Sequence, residues 1–196
     1  MISAIYLAAG KSSRFSGFNK LLKIYNGKEL FLHSLENLQK SIVNKIIFVT
    51  GKDKKIIKKK IKKFKKIIFV YNKNYRLGIS SSIITGIKML PKNTKFFFIV
   101  LADMPHIKFD FYKFMISQAL KYKDKNIFIP IYKKKFGNPI LFNYSFKEKL
   151  LFMKGDFGAK KIIKKNFTKI KFLKFKYNSI LKDYDTEDDF VKNNYS

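Results

Sequence analysis

Leu7, Ala8, Ala9 and Gly10 close an apolar run that begins at Ile2, and they lead into the segment KSSRFSGFNK. Small side chains at such a turn let backbone N–H groups approach an anion, and Lys11, Arg14 and Lys20 surround the turn with positive charge. That is chemistry for phosphate. The segment fits neither G-x-x-x-x-G-K-[ST] nor G-x-G-x-x-G, so the two standard phosphate-loop fingerprints are excluded. An ordinary small-residue turn from strand to helix stays open beside the phosphate reading.

A second run, Phe96 to Ala102, ends at Asp103 within LADMP, where Pro105 prevents the strand from continuing. A carboxylate facing a phosphate loop suits Mg²⁺, which takes one or two carboxylates together with substrate phosphate oxygens. The alternative is that Asp103 caps the turn. Ser80, Ser81 and Ser82 follow Gly78 at the opening of a helical pattern, with Ser80 expected as the N-cap and the free N–H groups serving either the cap or a ligand. In DYDTEDDF, Thr186 and Asp189 have T-x-x-D spacing, which accounts for a helix start and leaves Asp185 open as a metal ligand.

Other chemistries are excluded by composition. The chain has no Cys, so thiolate catalysis, disulfides and cysteine metal sites are absent. Two distant histidines, His33 and His106, cannot form a histidine metal cage, and the serines near Gly10 lack a partnered His and acid. His106 is expected to be a surface or packing residue.

Net charge is +30, from 43 Lys+Arg against 13 Asp+Glu. The basic residues are 41 Lys and 2 Arg, accompanied by 26 Ile and 14 Asn, the pattern that A+T-rich codons produce. Readers of nucleic acid favour the bidentate Arg fork, so this composition argues against nucleic acid as the partner. The same bias singles out Arg14 and Arg76 as positions where an ammonium is not sufficient. The densest run, from Lys52 to Lys66, places Ile56, Ile57, Ile61 and Phe64 at helical spacing and is expected to be a solvated amphipathic helix.

Strand-like and helical patterns alternate: strands over 2–8, 45–50, 67–71 and 96–102, helices over 29–40, 53–64, 80–90 and 109–122. Such alternation predicts an α/β chain with a mostly parallel, doubly wound, Rossmann-like sheet. In strand order 3-2-1-4 the first and fourth strands are neighbours, so Asp103 faces the Gly10 turn across the crevice where ligands bind. Strand patterns at 126–131 and 139–142, separated by KKKFGN, predict a hairpin-like excursion. Helices near 145–152 and 157–166, a strand near 170–176 and a short helix after Asp185 complete a C-terminal mixed extension. With no internal repeat and no Pro/Gly/Ser-rich linker, residues 1–196 are expected to form one domain. No apolar run reaches the length of a membrane span, and MISAIYLAAGKSS lacks the layout of a signal peptide, so a soluble cytoplasmic protein is expected.

LAAGKSSRF, NKLL at 19–22, GISSSI, LADMP, FGNPILF, GDFGAK and DYDTEDDF, in that order, resemble the MobA-like nucleotidyltransferases, and most closely the molybdenum cofactor cytidylyltransferases. The resemblance runs from Ile5 to Phe190 and implies a single MobA-like nucleotidyltransferase domain. It implies transfer of CMP from CTP to the terminal phosphate of molybdopterin or its molybdenum form, with release of pyrophosphate. Leu7, Ala8, Ala9 and Gly10 would hold the nucleotide with Ser80, Ser81 and Ser82, while Arg14 and Lys20 contact its phosphates. Asp103 would bind Mg²⁺, with Asp185 as a second metal contact. Gly137, Asn138 and Pro139, together with Gly155, Asp156, Gly158 and Lys160, would line the acceptor side.

The guanylyl-transferring branch reads LAGG where this chain has Ala9, whose methyl favours the smaller pyrimidine. The alternatives are the same chemistry with GTP or on another acceptor such as a sugar phosphate or methylerythritol phosphate, and a basic nucleic-acid-binding module that keeps the fold without the chemistry. A client molybdoenzyme or its chaperone is the implied protein partner. The chain departs from the family pattern in reading Arg14-Phe15-Ser16 for R-M-G, Lys160 for the Arg of GDxGAR, and DTED without the usual Pro.

Overall fold

The computed structural model describes residues 1–192 except 11, 13, 14, 16, 17 and 154–157. In chain order its strands and α-helices are β1 (Ile2–Ala8), β2 (Ile24–Tyr25), β3 (Lys28–Glu29), α1 (Leu30–Lys40), β4 (Lys45–Thr50), α2 (Lys54–Lys60), β5 (Ile67–Tyr71), α3 (Ile79–Lys88), β6 (Phe96–Leu101) and α4 (Phe109–Lys121). They continue with β7 (Ile127–Tyr132), β8 (Lys135–Phe136), β9 (Ile140–Asn143), α5 (Lys147–Leu151), α6 (Lys160–Lys165), β10 (Ile170–Lys174) and α7 (Glu187–Lys192). Short 3-10 turns stand between several of these.

The main sheet runs β10-β7-β9-β6-β1-β4-β5, with β8 paired to β7. β5, β4, β1 and β6 are mutually parallel, in the order expected from the alternating pattern. β9 runs in reverse, antiparallel to both β6 and β7, as does the short β8 against β7, while β10 pairs parallel with β7. The C-terminal portion is therefore mixed. The 126–142 excursion is a small hairpin of β7 with β8, after which the chain inserts β9 between β7 and β6.

Alternation along each central strand sends side chains to two apolar layers. From β1, Ala4, Tyr6 and Ala8 enter one layer with residues of α1, α2 and α4; Ile5 and Leu7, with Ala9 just beyond the strand, enter the other with α3, α5 and α6. Gly86 of α3 lets that helix lie against the sheet: a Cβ there would stand 2.3 Å from Ile5 Cγ2. α2 is shorter than its sequence pattern. Asp53 sits at φ 58 outside the helix, regular α-structure stops at Lys60, and successive lysines repel along its exposed side. Ile57 and Ile61 are buried, whereas Ile56 is exposed, contrary to the expected stripe.

Candidate active site

At the carboxyl ends of β4, β1 and β6 lies a cleft of about 430 Å³. Leu7, Ala9 and Gly10 line it from the end of β1, Asp103 from the turn after β6, and Asp183 and Asp185 from the C-terminal segment. Tyr75, Gly78, Ile79 and Ser82 form its other wall. Ala8, expected beside these, belongs to the opposite layer, because alternation along β1 turns it away.

Lys20 stands at the centre of the polar end. Its Nζ is 2.6 Å from Asp103 Oδ2 and 2.6 Å from Asp185 Oδ1, so one ammonium joins residues far apart in sequence. Burial disfavours its charge, but the two carboxylates outweigh burial and lift its pKa above the ordinary lysine value. Local bonds fix its backbone: Asn19 Oδ1 accepts from the Leu21 N–H at 3.1 Å, and Ser12 Oγ accepts from the Lys20 N–H at 3.2 Å. Asn19 thus caps the 3-10 turn Lys20–Leu22 that carries the lysine.

Asp103 is held from below and from the side. Beneath its turn, the fully buried Tyr6 hydroxyl and Ser34 lie together at 2.6 Å, and Ser34 Oγ donates to the Ala102 carbonyl at 3.0 Å. From the C-terminal segment, the Tyr184 N–H donates to the Asp103 carbonyl at 3.3 Å. Tyr184 itself is buried against Tyr25 and Phe190, and its hydroxyl lies 3.0 Å from His106 Nε2. His106 is thus a packing residue, as expected. Burial, with Lys182 and Lys108 adding to it, keeps its imidazole pKa below the usual range.

Both readings of DYDTEDDF are realised at once. Asp189 Oδ2 accepts from the Thr186 N–H at 2.7 Å and its hydroxyl at 2.9 Å, starting α7, while the Asp185 carboxylate is turned to Lys20. Asp183, which sequence reasoning missed, lies at the open edge of the cleft. Partial desolvation and the negative charges of Asp103 and Asp185 raise its carboxyl pKa. Its signal was its place two residues before Asp185 on an extended segment, on the same side of the chain.

Asp103 and Asp185 converge on one point, now filled by Lys20 Nζ, and Asp103 Oδ1 is buried with no hydrogen-bond partner. Among the described residues no three carboxylates or imidazoles form a ready metal cage. Two carboxylates beside the small-residue turn match the donor set of Mg²⁺, which completes its shell with phosphate and water oxygens. The residues present therefore fit that ion.

The serines behave differently from expectation. Gly78, at φ 99, is the N-cap of α3; glycine enters that conformation without strain, so the helix starts at Ile79 and Ser80 lies within it. Ser80 is buried, and its Oγ accepts from the Gly158 N–H at 3.1 Å. Ser81 Oγ donates to the carbonyls of Gly78 and Asn74, and the buried Asn72, also missed from sequence, sends its Nδ2 to Ser81 and Ser82. Of the three, Ser82 lines the cleft.

Gly137 and Pro139 are buried, Gly137 against Ile180, whose carbonyl accepts from the Asn138 N–H; none of the three lines the cleft. Gly137 is needed there because a Cβ would stand 2.5 Å from the Ile180 carbonyl oxygen. Lys160 is exposed at the start of α6 and Gly158 rests near Ile79, both outside the lining. Arg14, Gly155 and Asp156 lie outside the described residues.

Residues 4–170 match the model of the MobA-like NTP transferase domain. The chain is 32% identical over 145 residues to a protein of Thermococcus sibiricus named probable molybdenum cofactor guanylyltransferase, covering 72% of this chain and 67% of that one. It is 31% identical over 147 residues to a protein of the same name from Thermococcus gammatolerans, covering 74% and 70%. Its fold is shared with the solved structure of Rv0371c from Mycobacterium tuberculosis H37Rv, at a TM-score of 0.84 and 19% identity over 100% of this chain and 98% of the other. With the parallel sheet, the small-residue turn after β1 and the Asp-Met-Pro turn after β6 in place, the chain belongs to the MobA-like NTP transferase family, whose members are nucleotidyltransferases.

Proposed function

We propose that the protein transfers CMP from CTP to the terminal phosphate of molybdopterin or the molybdenum cofactor, in the cytoplasm and with Mg²⁺. The observation that carries this reading is the meeting of Lys20, Asp103 and Asp185 in one cleft with the Leu7–Gly10 turn. The names of the two Thermococcus relatives support the acceptor.

When bound, Mg²⁺ on Asp103 and Asp185 would neutralise phosphate charge. Lys20, released from the carboxylates, would place its ammonium on the triphosphate, and the N–H groups of the Ala9–Gly10 turn would hold a phosphate oxygen. An acceptor phosphate oxygen forms a new bond to the α-phosphorus in line as the bond to the β-phosphate oxygen breaks, and pyrophosphate leaves. A phosphate nucleophile is already anionic, so no general base is needed. His106, turned to Tyr184, is not one.

CTP is preferred on Ala9, whose side chain is buried in the cleft wall. GTP is the second reading, carried by the guanylyltransferase names of both relatives. A client molybdoenzyme or its chaperone would receive the product. The test is pyrophosphate release with Mg²⁺ and molybdopterin from CTP and, separately, from GTP. Release with CTP that Asp103→Ala abolishes supports the proposal; faster release with GTP overturns the choice of nucleotide. Silence with both, using acceptor verified with a known enzyme, overturns molybdopterin in favour of another phosphorylated acceptor.

A further inference from the structure

The cleft has a charged end and an aromatic end, in a fixed order along the sheet. Asp103 follows β6, the small-residue turn follows β1, and Gly51 follows β4 on the far side. Over Gly51 lies the ring of Tyr75, which lines the cleft with Gly78 and Ile79. Gly51 is the reason the ring can lie there: a Cβ would stand 2.5 Å from Tyr75 Cγ and 2.7 Å from its Cβ, the rigid root of the side chain. The guanidinium of Arg76, one of two arginines in a lysine-rich chain, lies 5.9 Å from the ring centroid.

From this geometry we infer that Tyr75, supported by Gly51, is the stacking wall for the base of the bound nucleotide. The inference rests on the nucleotide reading above and adds which way the nucleotide lies. Phosphates occupy the Lys20 end, where that ammonium, the N–H groups of the small-residue turn and a divalent cation on Asp103 and Asp185 would meet them, and the base lies over the β4 side, where the Tyr75 ring and Ile79 line the cleft. Base–aromatic stacking tolerates every base, so this wall supplies affinity while choice among bases falls to residues such as Ala9.

The experiment compares two probes that share phosphates but differ in the base: CTP or GTP, and inorganic tripolyphosphate. Binding is measured by calorimetry on wild type, Tyr75→Phe, Tyr75→Leu and Gly51→Ala. Tyr75→Leu is expected to weaken the nucleotide by about 5- to 150-fold while leaving tripolyphosphate unchanged. Tyr75→Phe is expected to bind like wild type, and Gly51→Ala, which displaces the ring, like Tyr75→Leu. Unchanged nucleotide affinity in Tyr75→Leu overturns the inference, as does an equal loss of both probes, which would mark Tyr75 as a purely structural residue. If wild-type protein binds tripolyphosphate but neither nucleotide, or binds no probe, the nucleotide reading itself fails and takes the inference with it.

Discussion

Ser80 accepts a hydrogen bond from the Gly158 N–H at 3.1 Å, tying the first turn of α3 to the segment that enters α6. The family pattern offers Ser80 as a contact to nucleotide; in the structure its buried hydroxyl joins two walls of the molecule. Ser80→Ala leaves the Gly158 N–H without that acceptor. A loss of about 1 kcal/mol in urea unfolding is expected, with the acceptor KM rising more than the nucleotide KM. Unchanged stability would show that the bond is replaced by water at no cost.

Lys20→Met removes the cation that Asp103 and Asp185 share. Stability at neutral pH is expected to fall by about 2 kcal/mol, a buried-pair value discounted because the Asp185 side chain is 44% exposed. The raised lysine pKa means that this contribution is complete below the ordinary lysine pKa and disappears as pH rises through the folded value. Because an ammonium and a divalent ion compete for the same oxygens, Mn²⁺ should raise the melting temperature of Lys20→Met more than that of wild type. Equal shifts would separate the ion from these two carboxylates.

Asp183 gives a pH signature of its own. Its raised pKa means the folded state holds the proton more tightly, so stability is lost as pH rises from the ordinary aspartate value through the folded one. At neutral pH the wild type bears this penalty. Asp183→Asn should therefore melt higher than wild type at about pH 7, and the difference should vanish near about pH 3, where both side chains are neutral. A lower melting point at neutral pH would show that Asp183 is favourably paired.

Gly86→Ala tests the packing that underlies the site. Alanine improves intrinsic helix propensity by about 1 kcal/mol, yet its Cβ would stand 2.3 Å from Ile5 Cγ2 and 3.1 Å from Val49 Cγ2. Overpacking should win, giving a net loss of about 1–2 kcal/mol in denaturant midpoint analysis. A stabilised variant would mean that α3 can lift from β1 and β4 freely.

Strands β1, β4 and β5 begin and end where the apolar runs do; β1 and β4 are central and buried on both faces, as continuous apolar sequence requires, whereas β5, at the sheet edge, is only half-buried. Asp103 was legible for the same reason: a carboxylate directly after such a strand has to stand at the sheet edge. The parallel order of the first four strands followed from helices alternating with them. By itself, then, the sequence determined the α/β class, the turn after β1, and the pairing of that turn with Asp103.

Tertiary structure decided the rest, because it depends on contacts between residues distant in the chain. Placing β9 in reverse between β6 and β7 is a matter of strand partners, which local pattern does not encode. Asp185 reaches Lys20, 165 residues away in sequence, because Tyr184 is buried among Tyr25 and Phe190 and bonded to the Asp103 backbone. Tyr75 enters the cleft because Gly51, on another strand end, leaves room for its ring. Ser80 belongs to Gly158, and Gly137 to Ile180, through fits between backbone surfaces that no residue type announces. Local pattern marks which groups can do chemistry, while the packing of distant segments sets which of them share a cleft and which serve only to hold it.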